Sequence, residues 1–395
     1  MNNKVMLPIA VLMASQSPLL LAAEYVVGAE FSPTFSYNDN VRLSEDEEGS
    51  FLARINPTLV LSRAEANSLI SFKTGLNVER YTDLKELDRE DPFANFSAAM
   101  NTERSSYGFS ASYTERAQRS IAEEDTGDFA SNATVESINL SPSYNYQLTE
   151  KDSVYASYNY AERKYSDTDN TDDNPLDTNF NDNKTHTITS GWQRTWTEKL
   201  TAGLALTYAQ YESEGIQQSE YDTYNFAVTS SYLLSEKWSI SGQFGYRTLE
   251  NERTPPGGPK LTDESSGTLF NFATNYAGEI NSVSISISRS LTPSGEGNVN
   301  EQDKVGVTWG RKLSETLSFN VDTSYQESQS VDNFNTTDRE YLQFSPAISW
   351  KLKEQLNLRF GYQYRDQKSS DRPSADSNMV FLTVGYDWNG LRFSR

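Results

Sequence analysis

The chain has 395 residues, no cysteine and a formal net charge of -21. A disulfide framework, a thiolate nucleophile and a cysteine metal site are excluded, and the acidic balance argues against nucleic acid as a partner. Mean hydropathy of -0.67 suggests a soluble surface, but such an average hides any pattern in which only alternate residues are apolar.

The chain opens Met1-Asn2-Asn3-Lys4 and continues through an apolar stretch, Val5 to Leu21, broken by Gln16, Ser17 and Pro18. It then reaches Leu21-Ala22-Ala23 before the acidic Glu24. This pattern predicts a signal peptide over 1–23, with residues 24–395 forming one domain. The interrupted stretch falls short of the ~20 apolar residues that a membrane span requires.

Beyond it, strands are predicted at 27–37, 51–61, 69–81, 93–101, 106–115, 134–146, 153–164, 185–196, 200–210, 223–234, 238–248, 267–276, 282–290, 303–311, 316–326, 340–350, 356–365 and 378–388. The alternation is clear in Leu200, Ala202, Leu204, Leu206 and Tyr208, set against Thr201, Gly203, Ala205 and Thr207. It recurs in Leu356, Leu358, Phe360 and Tyr362 against Asn357, Arg359, Gly361 and Gln363. Each strand therefore has one greasy face and one small, polar face.

Short charged connections, three of them sharing a Glu-Lys pair, alternate with long acidic loops. All six tryptophans, Trp192, Trp196, Trp238, Trp309, Trp350 and Trp388, lie in or near the short turns. Tyr37, Tyr81, Tyr113, Tyr208, Tyr246, Tyr325 and Tyr364 lie at the opposite ends of their strands. Sandwiches do not ordinarily sort tryptophan to one end and tyrosine to the other. The pattern predicts an all-β fold, an antiparallel up-and-down transmembrane barrel of about 18 strands, with short periplasmic turns and long extracellular loops. The tryptophans would form a periplasmic aromatic girdle. Closure pairs every strand edge inside lipid, which stabilises a secreted chain lacking disulfides.

Nothing in the pattern demands catalysis. The one histidine, His186, shares its parity with Ile188 and Trp192, which puts it on the lipid side, away from any lumenal base or nucleophile. No nucleophile elbow, phosphate loop or metal motif is present, so no catalytic residue, cofactor or metal is assigned. The acidic stretches, Ser44 to Glu48, Glu86 to Asp91, Glu123 to Asp125, Asp167 to Asp182 and Glu212 to Asp222, read first as hydrated loops. Carboxylate clusters could also bridge to lipopolysaccharide or matrix polysaccharide through divalent cations. Asp169 to Asn174 comes nearest to a calcium loop, yet lacks its glycine and terminal glutamate.

The inward parity is rich in Ser, Thr, Asn, Gln and Gly, with sparse mixed charges. These are Arg54, Lys73, Arg163, Arg247, Lys304 and Arg359 against Glu30, Glu79, Asp322 and Asp387. They either pair and rigidify the wall or set a transverse field for polar solutes. About eighteen strands leave an aqueous lumen unless a loop folds in, and the longest candidates for such a loop are 165–184 and 249–266.

At Ala29 to Leu43 the first strand ends in an aromatic, Asp-Asn, aliphatic step made by Tyr37, Asp39, Asn40 and Val41. In this step and in its overall layout the chain resembles β-barrel porins associated with exopolysaccharide biosynthesis loci. The resemblance implies an outer-membrane barrel that helps to secrete an extracellular polysaccharide, with no catalytic residues to carry over. The leading expectation is a monomeric polar channel for polysaccharide export or assembly. Its partners would be membrane lipid and lipopolysaccharide, the barrel-insertion machinery, polysaccharide cargo and periplasmic export components. The alternatives are a diffusion or sugar-uptake porin, marked by an inward constriction loop with facing charges, and a structural or adhesive barrel with acidic loops. The end of the chain, Gly390-Leu391-Arg392-Phe393-Ser394-Arg395, departs from the usual aromatic terminus. Either insertion tolerates this end, or Asn389-Gly390 turns the chain and the closing strand stops near Trp388.

Overall fold

The computed structural model describes residues 23–125, 128–166, 180–214, 218–254, 258–331, 338–370 and 372–394. The signal-peptide expectation rests on residues outside that set, apart from Ala23, and so does the stretch 169–174. The strands are β1 (Glu24–Phe31), β2 (Thr34–Asn38), β3 (Ser50–Ile55), β4 (Thr58–Ala64), β5 (Ser68–Tyr81), β6 (Arg89–Asn101) and β7 (Ser105–Ala117). There follow β8 (Thr134–Gln147), β9 (Asp152–Ser166), β10 (Asp182–Thr195), β11 (Leu200–Glu214), β12 (Gln218–Leu233) and β13 (Trp238–Thr254). The last are β14 (Leu261–Ala277), β15 (Asn281–Pro293), β16 (Val299–Lys312), β17 (Leu317–Ser330), β18 (Asp338–Lys353), β19 (Leu356–Ser369) and β20 (Ala375–Ser394).

Adjacent strands pair antiparallel, and β1 and β2 pair with β20, so the sheet closes into a barrel. The twenty segments make eighteen staves, because β1 with β2 and β3 with β4 are halves of single strands (20 − 2 = 18). Each break is a proline, Pro33 or Pro57, which has no N–H to give to the ladder. The register is unchanged across the first break, Phe31 opposite Tyr386 before it and Thr34 opposite Thr383 after it. The Asn56 side chain fills the gap by accepting from the Ser32 amide at 3.2 Å.

Outward positions are apolar and uncovered by protein: Leu206, Phe244 and Phe360 are 58%, 53% and 59% exposed. Such a surface is tolerable only against hydrocarbon, so the barrel spans a membrane. Trp192 stands beside Leu204 and Val154 on this face. Trp238 packs on Tyr276 at 5.1 Å, and Trp309 meets Phe319 edge-on at 5.8 Å. Trp350 lies between Leu317 and Leu358, Trp388 lies beside Ala29, and Trp196 follows β10 under the Arg194 guanidinium. Tyrosine is not confined to the loop end, because Tyr107 and Tyr144 pair at 5.0 Å near the short turns. Tyr81 belongs to no outer belt either: it faces inward and is buried with Val41, Leu84 and Leu87.

The short turns share a device. In Leu148-Thr149-Glu150-Lys151, Trp196-Thr197-Glu198-Lys199 and Leu234-Ser235-Glu236-Lys237 the hydroxyl accepts from the amides two and three residues on. The hydroxyl thus closes the turn and leaves the Glu-Lys pair to water.

Two expectations are corrected here. The segment Glu212 to Asp222 is not a long loop, because β11 and β12 run past the lipid and join through 215–217 alone. Nor does the chain turn at Asn389-Gly390. β20 continues to Ser394, placing Tyr25 on Phe393 with ring centroids 5.6 Å apart. The extra residue is absorbed as a bulge between Val27 and Ala29. Gly390 takes φ +73 there, and a Cβ would lie 1.9 Å from the Val27 carbonyl oxygen, so only glycine fits.

Candidate functional site

Strand parity assigns the lumen wall. All inward positions of β10, β11 and β12 are uncharged, and β15 presents Ser282, Ser284, Ser286 and Ser288 in file. Arg163 on β9 and Arg247 on β13 flank this uncharged sector, and the other inward charges gather on the other side of the barrel. Lys73 reaches Glu30 at 2.7 Å, and Arg54 reaches Glu79 at 2.6 Å. Arg359 lies 4.0 Å from Asp322 and over the Phe381 ring at 5.7 Å, while Asp322 also accepts from the Thr308 hydroxyl at 2.9 Å. Asp387 faces Glu30 across the β1–β20 seam. Arg163 lines a wall cavity of about 160 Å³ with Thr114, Arg116, Ser137 and Asn139. Arg247 and Lys304 engage the elements that cross the lumen.

The first of these is the connection from β7 to β8, residues 118–125 and 128–133. Its neck is closed by the Gln118 amide donating to the Ala133 carbonyl at 2.8 Å. Arg119 ties the near side down, buried against Glu79 at 3.2 Å and the Leu87 carbonyl at 3.3 Å. The segment then crosses to β16, nine staves from β7 (16 − 7 = 9) and half-way round the barrel. There Lys304 pairs with Glu123 at 3.3 Å, and the Gln326 amide donates to the Glu123 carbonyl at 2.7 Å. Phe129 stacks on Tyr341 at 5.6 Å and 11°, in a cluster with Leu43, Ala122 and Ala375. The Arg365 guanidinium caps the Phe129 ring at 5.9 Å.

The second is the tip of the β15–β16 hairpin, 294–298. The β14–β15 ladder stops at Phe270 opposite Arg289, and above that level the hairpin bends into the lumen. Its Leu291 and Val299 pack on the inner face of the wall at Tyr211, Tyr221 and Leu249. Arg247 passes over Gly267, where no side chain blocks it, and pairs with Glu301 at 2.8 Å. The Tyr211 hydroxyl donates to the Ser294 carbonyl at 2.9 Å, and Arg339 pairs with Glu296 at 2.8 Å.

Asp125 joins loop and hairpin. Only 2% exposed, it accepts from the Gly295 amide at 2.5 Å, the Tyr165 hydroxyl at 2.7 Å and the Gln118 side chain at 3.1 Å. Tyr165 lies beyond the apolar band, where burial and the adjacent Asp125 carboxylate push its hydroxyl well above the usual phenol range. It therefore stays a donor, and the carboxylate keeps three partners.

The described inward segment is the β7–β8 connection and not the expected 249–266. Residues 249–266 are largely the upper ends of β13 and β14, and most of 165–184 lies outside the described residues. A signal for 118–133 was present: Ile121, Ala122, Phe129, Ala130 and Ala133 make it less polar than the other acidic connections. His186 points outward, its Nδ1 2.7 Å from the Tyr158 hydroxyl. Among the described residues no three histidine, cysteine or acidic side chains are grouped to hold a metal. Asp39 and Asn40, which carry the family resemblance, stitch the barrel seam. The Asn378 amide donates to Asp39 at 2.6 Å, and Asn40 donates to the Asp376 carbonyl at 3.0 Å.

No protein-family model and no curated protein matches the chain. Solved structures do match in fold. The FrpB iron transporter of Neisseria meningitidis shares 8% identity, with 92% of this chain and 81% of that one covered, at a TM-score of 0.53. OccAB4 of Acinetobacter baumannii shares 9% identity over 94% and 98% of the two chains, with a TM-score of 0.48. OpdQ of Pseudomonas aeruginosa shares 8% identity over 92% and 98%, with a TM-score of 0.46. At such identities the likeness speaks to architecture alone, and the chain's own strand pairing makes that architecture a closed eighteen-strand antiparallel barrel.

Proposed function

We propose that the chain forms a narrowed polar channel for small hydrophilic solutes across the outer membrane, closer to a diffusion or sugar-uptake porin than to a polymer conduit. The observation that carries this is the β7–β8 connection, whose residues 118–125 and 128–133 cross the lumen to Lys304, Gln326 and Tyr341 on the opposite wall. Water and small solutes that pass the segment and the hairpin would meet, on the side of the lumen nearer the short turns, the uncharged sector of β10 to β12, where hydroxyls and amides exchange hydrogen bonds with a polar solute at little cost in desolvation. The paired charges of the other sector set a field across the path without a strong preference for either ion sign. Export of a polysaccharide, which the Tyr37 to Val41 step suggests, would require loop and hairpin to leave the lumen together. Lipid, lipopolysaccharide and the insertion machinery are the partners this reading entails.

The test is swelling of liposomes carrying the purified barrel in neutral saccharides of increasing size. Entry of mono- and disaccharides with exclusion of longer chains supports the proposal. Equal entry of long oligosaccharides would favour the export reading, and no swelling from folded, heat-modifiable protein would leave a closed structural barrel.

A further inference from the structure

We infer that the β15–β16 hairpin is a lid with two seats, of which the structure holds the inner one. The outer seat is the free edge of β14. From Leu261 to Leu269 this strand pairs with β13 on one side, whereas among the described residues no ladder covers its other side. An uncovered edge of nine residues is unusual, because proteins generally pair or blunt such edges. Extending the existing register one for one from Phe270 opposite Arg289 brings Leu269 to Ser290, Thr268 to Leu291 and Gly267 to Thr292. Parity is preserved: Ser290 and Thr292 would prolong the inward serine file, and Leu291 would stand outside beside Thr268.

The inner seat is imperfect in a way that makes a second seat reachable. It buries Leu291 and Val299 against Tyr211, Tyr221 and Leu249, which favours closure. It also leaves polar atoms stranded. Asn251 is 2% exposed with neither side-chain amide atom bonded, and Arg247 Nε and Asn298 Oδ1 are buried without partners. Such groups regain water or partners when the hairpin lifts. Moving to the outer seat gains ladder bonds and hydration but exposes two apolar side chains, so the two arrangements oppose each other through different forces. Lifting also breaks the contact of Gly295 with Asp125, which releases one anchor of the 118–133 segment. The lid would therefore widen the lumen from both sides. This inference concerns the hairpin's position and stands apart from which solute passes.

The chain has no cysteine, so engineered pairs report without background. The experiment uses L249C/V299C for the inner seat and T268C/L291C for the outer one, each reconstituted as the full barrel and treated with a short bis-methanethiosulfonate crosslinker. Both pairs are expected to crosslink, with loss of channel current in the first and gain in the second. Complete reaction of L249C/V299C with T268C/L291C unreacted would overturn the lid. Crosslinking of both pairs without current in either would uphold the lid and sink the channel reading. Hydrogen exchange on the unmodified barrel guards against misfolded variants. Two exchanging populations at the β14 amides directed away from β13 support two seats, whereas uniformly fast exchange there counts against them.

Discussion

One face of β13 passes through two environments. From Trp238 through Ile240 and Phe244 to Tyr246 its outward side chains are apolar and meet lipid, whereas the next outward residues, Thr248, Glu250 and Glu252, stand in water. The backbone ladder does not register the boundary, since β12 and β14 flank the strand from end to end. The strand is held together the same way throughout, yet side-chain chemistry is constrained only in the lower part. Hydrogen bonding builds the wall, and the solvent decides what it displays.

Arginine on that one face gives the largest contrast. Phe244→Arg places a charge within the lipid band and should cost about 2–4 kcal/mol, read by denaturant unfolding from vesicles. Glu250→Arg, on the same face but beside Asp222 and Glu264, should stay within about 0.5 kcal/mol. Equal losses at both sites would erase the boundary. Next comes Gly390→Ala at the seam, where the left-handed backbone alone costs about 1–2 kcal/mol and the clash with Val27 adds to it. It should lower the yield of folded barrel as well as its stability, because closure of β1 on β20 is compromised. Phe129→Ala removes a stack worth about 0.5–1.5 kcal/mol beyond its buried area. It should leave unfolding of the barrel nearly unchanged while raising conductance, since the loop anchor and not the wall is weakened. The smallest effect belongs to Lys304→Met. Both partners of the Lys304 and Glu123 pair keep some solvent contact, so coupling should stay below about 1 kcal/mol and vanish at high salt in a double-mutant cycle with Glu123→Gln.

The same contrast explains what the sequence made legible. Within the lipid band, alternation in Leu200 to Tyr208 or Leu356 to Tyr362 marks the strands, and all eighteen predicted strands are present. Above the band the outer face is wet and the inner face, covered by the hairpin, mixes Tyr211, Tyr221 and Leu249 with Ser213, Ser219 and Asn251, so the upper parts of β11, β12 and β13 carry no clean apolar alternation and pass for acidic loop. The split of the first two staves was also hidden, because Pro33 and Pro57 interrupt hydrogen bonds without altering the apolar pattern. Loop length does not single out the crossing segment. Its apolar residues find a partner surface at Leu43, Tyr341 and Ala375, which are distant in sequence. Glu123 to Asp125 looked like a solvated acidic run, yet Asp125 is buried and bonded to both crossing elements. The hairpin seat was invisible for the same reason, since Val299 meets Tyr211 only when β15 leaves β14.

The most direct test of the central claim is single-channel conductance in planar bilayers of the native barrel beside a variant lacking residues 119–132. The account predicts small, stable steps from the native protein and several-fold larger steps from the variant, with unfolding of the two alike. Identical steps from both would contradict it, because the segment anchored at Lys304 and Tyr341 would then not define the path.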